Sequence, residues 1–223
     1  MMFFYSLVMP LRHDSDMSTF VRRYTDLPFL FDYLRTKELA LLSPKTWDDK
    51  NDSFFVEHYA RANGFKSSYA LCLAEAPETY HHWKVFTSGS SGVCIEFKKE
   101  DLVAHALKVP GLRAESVTYS TIKSLRTSKP KPEQLPFLKR SAFGDEAEFR
   151  LFVARQEPFT APIRFAVPAN AVNRVVLSPW IPKSVSDQVK ATIKEINGCK
   201  TLKVFRSTLI ENESWKQLGE HDE

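Results

Sequence analysis

The stretch Phe143 to Arg155, FGDEAEFRLFVAR, does most to limit the folds open to this chain. Phe149, Leu151 and Val153 alternate with Arg150, Phe152 and Ala154, a period of two that reads as a strand with a well-buried face. Ahead of it, Asp145, Glu146 and Glu148 pack three carboxylates into four positions. Side chains two apart on a strand share a face, so Glu146 and Glu148 point the same way if both are already extended. A carboxylate pair at the mouth of a buried strand is shielded from bulk water and can be held near a reacting sugar or phosphate. A solvated acidic turn leading into a core strand gives the same pattern, and spacing alone does not separate the two.

A chain of 223 residues is long enough to bury a full core as one large domain or two small ones. The 7 glycines are few, and neither a P-loop nor GxGxxG occurs, which argues against a fold built on Gly-rich phosphate loops. The formal net charge of +4 permits an anionic partner without demanding one. Cys72, Cys94 and Cys199 are widely spaced with no CxxC, and Cys72 and Cys94 lie in apolar runs. They read as buried thiols of a reducing, cytoplasmic setting. No apolar run approaches the roughly 20 residues that span a bilayer, so no membrane partner is expected. The opening MMFFYSLVMP lacks a basic n-region and a small-residue cleavage site. Residues 1–17 read as a weakly ordered leader, 18–208 as a single α+β domain, and 209–223 as an acidic tail; Met9 or Met17 would also serve as a start.

Along the chain, Thr19–Tyr24 reads as a first strand, and LPFLFDYLRTK as a helix with Pro28 in its first turn. Glu38–Leu42 follows as a short strand. The polar loop SPKTWDDKNDSF carries Asp48, Asp49 and Asp52 but lacks EF-hand spacing and its Gly. Phe54–Ala62 reads as a helix, Tyr69–Ala74 as a buried strand, and a helix begins at Glu75 with Pro77 in its first turn. Adjacent His81 and His82 point about 100 degrees apart on a helix and HExxH is absent, so no shared metal is expected. Val93–Phe97 is a strand, Lys98–Val109 a helix and Arg113–Tyr119 a strand. Residues 121–140, with Lys123, Arg126, Lys129, Lys131, Lys139 and Arg140 among three prolines, read as a basic, mobile connection suited to a phosphate backbone or merely solvated. Strands at Pro162–Val167 and Val172–Leu177, a helix over Pro182–Asn197 and a strand at Thr201–Phe205 complete the order. One α+β domain with a split, largely antiparallel β core flanked by short helices is the economical reading.

The motif order, from strand-borne Arg-Tyr through Trp-Asp-Asp-x-Asn-Asp, ALCLAE, HHWKVF and GVCIEF to DEAEFR, resembles a bacterial family known as domain of unknown function 2971. That family carries no established chemistry. More distantly, Ala147-Glu148-Phe149 followed by Val167-Pro168 resembles the ADP-ribosyltransferase fold, especially the bacterial DNA-modifying toxins of that class. The resemblance implies NAD as substrate, Glu148 as the catalytic carboxylate and Glu146 as its helper. It implies Arg23, beside Tyr24 on the first strand, as ligand of the pyrophosphate, with Arg22 the adjacent candidate on the opposite face. Trp83 and Phe86 inherit the aromatic wall for nicotinamide. Cys72 stands in the middle strand where the class usually has Ser or Thr.

Three functions follow from these residues. The first is an NAD-dependent ADP-ribosyltransferase acting on a macromolecule, nucleic acid if Lys123, Arg126, Lys129 and Lys131 contact it, in a toxin or phage-defence setting with an antitoxin or other partner protein. The second is a non-catalytic module that binds a nucleotide or a partner. The third is a metal-dependent nuclease using Asp48, Asp49, Asp52 and Glu148.

Overall fold

The computed structural model describes residues 19–219; the expected leader and the last residues of the tail lie outside them. In chain order the strands and helices are β1 (Phe20–Asp26), α1 (Leu27–Thr36), β2 (Glu38–Leu41), α2 (Lys50–Ala62), β3 (Ser67–Ala74), α3 (Tyr80–Phe86), β4 (Gly92–Lys98) and α4 (Lys99–Ala106). They continue with β5 (Arg113–Ser116), β6 (Thr118–Ser120), α5 (Ile122–Thr127), β7 (Leu138–Arg140), β8 (Glu148–Arg155), β9 (Ile163–Ala166), β10 (Val172–Leu177), α6 (Lys183–Glu195), β11 (Val204–Arg206) and α7 (Glu213–Gln217).

A seven-stranded sheet in the order β11-β10-β4-β1-β3-β8-β5 is antiparallel throughout except for the β10–β11 edge. The result is the expected single α+β domain with a mostly antiparallel core. Strand alternation sends Val21, Leu71, Leu73, Ile95, Phe149, Leu151, Val153, Val175 and Leu177 into one large cluster under α1, α4 and α6. Burying one such Leu or Val side chain contributes about 1.5–3 kcal/mol. The opposite face is covered in two separate places: Val56, Ala70, Phe137 and Phe152 beneath α2, and Tyr24, Ala74, Trp83, Cys94 and Val176 beneath α3. Between these two patches the sheet face is polar.

The sheet is also split at its centre. β3 and β8 register over eight residue pairs and β1 and β4 over seven, but β1 meets β3 only at Arg22↔Ala74. Beyond that pair the two strands diverge, on the face where the covering patches leave a gap.

Several elements differ from the sequence reading for identifiable reasons. Asp49 accepts from the backbone N–H groups of Asn51 (3.0 Å) and Asp52 (3.4 Å), so α2 starts at Lys50 and takes half of the expected polar loop into a helix. Thr79 caps α3 through His82 N–H, which delays that helix to Tyr80 and leaves residues 75–79 as a connection ahead of it. The expected strand Arg113–Tyr119 breaks at Val117, whose N–H bonds the Glu148 carbonyl (2.8 Å), and β6 departs to pair with β7. Residues 121–140 are not a mobile connection. They hold α5, capped by Thr121, a 3-10 segment Pro132–Phe137 and β7, with Leu135, Phe137 and Leu138 buried. All three cysteines are free thiols; Cys94 and Cys199 are buried and Cys72 is half-buried. Among the described residues no helix is long and apolar enough to cross a membrane.

Candidate active site

The gap beside the sheet split is a cavity of about 430 Å³. That lies within the range of small-ligand sites. Strand ends, the 3-10 turn before β8 and the N-terminus of α2 converge on it. Residues singled out in the sequence line it together: Arg22, Arg23 and Tyr24 from β1, Asp48, Asp49 and Asp52 at the start of α2, Cys72 from β3, Phe86 from α3, Lys139 from β7, and Glu146 and Glu148. The nucleotide-wall candidate Trp83 is not among the lining residues. Its side chain is fully buried beneath Tyr24, edge-on to that ring at 5.3 Å between centroids, and its Nε1 donates to Glu78. The polar handle of a buried Trp needs such a partner, so Trp83 is a core residue supporting Tyr24. Lys123, Arg126, Lys129 and Lys131 are exposed on and after α5 and do not reach this cavity.

Glu146 and Glu148 meet by a route other than strand alternation. Glu146 ends a 3-10 segment, Ser141–Glu146, and Glu148 opens β8. Between them Ala147 sits in the left-handed region at φ 42°, ψ 55°, a conformation that disfavours a side chain. Its carbonyl accepts from Glu75 N–H (2.7 Å) and its N–H bonds Gly144 O (3.1 Å), so neighbours on both sides hold the turn. His82, wholly buried, donates from Nε2 to the Glu146 carbonyl (3.0 Å) while its Nδ1 pairs with the Thr79 hydroxyl. Burial keeps that imidazole below its ordinary titration range, as its donor and acceptor roles require.

Around the two glutamates stands an ionic cluster. Arg150, with no exposed surface, donates from Nε to Glu148 Oε1 (2.6 Å) and from Nη2 to Glu148 Oε2 (2.9 Å). The same guanidinium bonds both oxygens of Asp52 (2.9 and 2.7 Å) and the Pro136 carbonyl (2.8 Å), and it lies 4.7 Å from the Trp47 ring centre. Lys139 Nζ is 2.5 Å from Glu146, 3.5 Å from Glu148 and 3.8 Å from Asp52. The Tyr119 hydroxyl accepts from Glu148 N–H (2.8 Å).

These contacts set the ionisation of each group. Burial alone would raise Glu148, but the Arg150 guanidinium, with Lys139 and the Cys72 thiol, outweighs it and holds Glu148 below the usual carboxylate range. Burial raises Asp52 and Glu146, with Arg150 and Lys139 respectively offsetting part of the effect. Burial and the nearby Glu148 push the Cys72 thiol well up, so it is a neutral donor rather than a nucleophile.

The two arginines of β1 part company. Arg22 is committed: it bonds the Glu75 and Ala76 carbonyls (3.2 and 2.7 Å) and ion-pairs with Glu96 at 2.8 Å. Both arginines line the cavity, against the expectation that Arg22 faces away from it, but the Arg23 guanidinium makes no hydrogen bond or ion pair with any described residue. Burial lowers its proton affinity, and only the Cys72 sulfur acts the other way.

Asp52, Lys139, Arg150 and His82 were not singled out as a unit by the sequence. Lys139 was counted with the basic connection, and Asp52 only as a metal candidate. The signal available was Arg150 itself, an arginine in the middle of a strand whose neighbours on both sides are apolar. Among the described residues no group of three or more His, Cys, Asp or Glu is placed to hold a metal ion.

No family model matches the chain, and no curated protein does. Among solved structures, the chain is similar to DarT of Thermus sp. 2.9 in complex with carba-NAD+, at 10% identity and a TM-score of 0.45, covering 86% of this chain and 97% of that one. The same protein in complex with ADP-ribosylated single-stranded DNA aligns at 9% identity and TM-score 0.45, over 88% and 98% of the two chains.

Proposed function

We propose that this chain cleaves the N-glycosidic bond of NAD and transfers ADP-ribose to a macromolecular acceptor, with Arg23 on the pyrophosphate and Glu148 beside the nicotinamide ribose. The observation that carries the reading is the guanidinium of Arg23, without a hydrogen bond or ion pair among the described residues, on the same cavity as an ionised, rigidly held glutamate. A half-buried cation without a partner among the described residues is costly, and an anionic ligand removes that cost. A guanidinium grips two phosphate oxygens at once.

In the reaction the bond from C1′ of the ribose to the pyridinium nitrogen breaks, and its electron pair leaves with neutral nicotinamide. The sugar passes through an oxocarbenium-like state, and the acceptor's nucleophile bonds to C1′ and gives up its proton. Glu148 faces the developing positive charge. Its two oxygens offer about four lone-pair sites. Arg150 takes two, Lys139 one and the Cys72 thiol one, so a ribose hydroxyl binds by displacing the weak thiol donor. Phe86, 40% exposed at the rim, supplies an apolar wall for the ring. The exposed Lys123, Arg126, Lys129 and Lys131 suit a nucleic-acid acceptor, in a toxin or phage-defence role.

The engagement of both Glu148 oxygens by Arg150 also suits a module that binds a nucleotide without turnover. A metal-dependent nuclease is less well served: Asp48, Asp49, Asp52 and Glu148 all line the cavity, but Asp49 caps α2 and Arg150 holds both oxygens of Asp52. The experiment is nicotinamide release from NAD by the purified protein, with and without chelator. Release that survives chelation and is suppressed in Glu148→Gln, with circular dichroism unchanged, supports the transferase. Binding without release supports the module, and chelator-sensitive DNA cleavage supports the nuclease.

A further inference from the structure

The ionic cluster behind Glu148 holds three carboxylates, Asp52, Glu146 and Glu148, against two cations, Lys139 and Arg150. With all five groups ionised, one unit of negative charge is left uncompensated. We propose that Asp52 is a positioning residue which sets this imbalance: by sharing Arg150 it prevents the guanidinium from neutralising Glu148, so that the site keeps a net negative charge towards the nicotinamide end of the cavity. The inference rests on the NAD reading of that cavity and assigns to α2 a part in it.

The geometry is specific. Arg150 divides its donors between the two acids, Nε and Nη2 to Glu148 and Nη1 and Nη2 to Asp52, with Nη2 common to both. Asp52 comes from a helix 98 positions away in sequence and is 3% exposed, so it answers to the guanidinium and not to solvent. A lone Arg–Glu pair would be neutral and would present little field to a cationic sugar. A guanidinium shared by two carboxylates leaves each partly unbalanced. The other charged or titratable groups facing the cluster are Cys72 on β3, Tyr119 on β6 and His82 on α3, all held neutral by burial, and Asp48, Asp49, Arg22 and Arg23 on the cavity wall.

Two consequences follow for ligands. The oxidised cofactor, whose nicotinamide ring is cationic, is favoured over the reduced form, whose ring is neutral. The oxocarbenium-like state is favoured over the ground state, since positive charge moves from the ring onto the sugar beside Glu148.

The test uses Asp52→Asn, which keeps size and one acceptor for Arg150 but brings the cluster to neutrality, Lys139→Met, which carries it to two negative charges, and the double variant, which restores the original balance. For Asp52→Asn the expected result is a fall in kcat of about tenfold to a hundredfold and a several-fold loss of preference for NAD+ over NADH in binding, with the double variant recovering most of both. A role in folding alone predicts the opposite pattern, since two buried substitutions together would be worse than one. Failure of the double variant to recover overturns the proposal. If the wild type neither binds nor cleaves NAD, the reading of the cavity falls, and carboxyl 13C titration of Glu146 decides the charge balance without any substrate. Its midpoint should drop in Asp52→Asn, rise in Lys139→Met and return in the double variant; a midpoint indifferent to all three overturns the inference.

Discussion

Glu146 and Glu148 share one ammonium group: Lys139 Nζ stands 2.5 Å from an oxygen of the first and 3.5 Å from an oxygen of the second. The pair is nevertheless asymmetric, because Arg150 reaches only Glu148. Two carboxylates a few ångströms apart are thereby given different proton affinities, one raised by burial and one pulled down chiefly by a guanidinium. Divergent affinities of neighbouring acids are how a single site separates roles.

As pH falls from neutrality, Glu146 takes a proton before Glu148. The acid limb of kcat should therefore follow Glu146 and lie above the free-glutamate value of roughly 4.3. Glu146→Gln should move that limb to lower pH. For stability the signs differ. Glu148, depressed in the fold, contributes stability that is present above its unfolded value and lost as pH falls through its folded one. Glu146, raised in the fold, contributes stability present below its unfolded value and lost as pH rises through its folded one. Melting curves of the wild type and both Gln variants across the acid range check this.

Arg23→Ala should raise KM for NAD by more than Arg22→Ala while leaving Tm nearly unchanged, because no described side chain depends on Arg23. Arg22→Ala should instead cost about 1–3 kcal/mol of stability, since it removes a buried ion pair and leaves two backbone carbonyls unsatisfied. Steady-state kinetics and thermal melts on the two variants separate these effects. Equal KM effects would place the pyrophosphate elsewhere.

Arg150→Met should destabilise the protein by about 3–5 kcal/mol, because Asp52 and Glu148 would remain buried without their common partner. Urea denaturation at neutral pH measures it. Lowering the pH should narrow the gap from wild type as the stranded carboxylates take up protons.

Ala147→Gly should stabilise the turn by about 1 kcal/mol, since glycine occupies the left-handed region without a Cβ penalty. Ala147→Val should destabilise by at least as much. Chemical denaturation midpoints give both values.

The periodic elements were legible because burial imposes a period on the residues that experience it. β8 is the clearest case: Phe149, Leu151 and Val153 face the main core as their spacing said. What alternation concealed was that the other face is buried too, with Arg150 wholly enclosed and Phe152 nearly so. A charged residue reads as solvent-facing until its partners are known, and Asp52 lies far away on a helix whose start is fixed by the Asp49 cap. Glu146 and Glu148 were found together in the sequence, but through assumed extension and not through the left-handed turn at Ala147 that joins them. Trp83 was named for its type; its burial depends on α3 beginning at Tyr80 behind the Thr79 cap, which delivers the ring beneath Tyr24.

The single rung at Arg22↔Ala74 makes the main sheet two half-sheets, β11-β10-β4-β1 and β3-β8-β5, meeting along a seam. Compliance in such an assembly concentrates where the fewest bonds cross. Backbone amides of β1 and β3 along the seam should exchange with solvent faster than those of the paired β1–β4 and β3–β8 ladders. A molecule lodged between the halves would slow them, acting as a wedge that stiffens the molecule across its weakest axis.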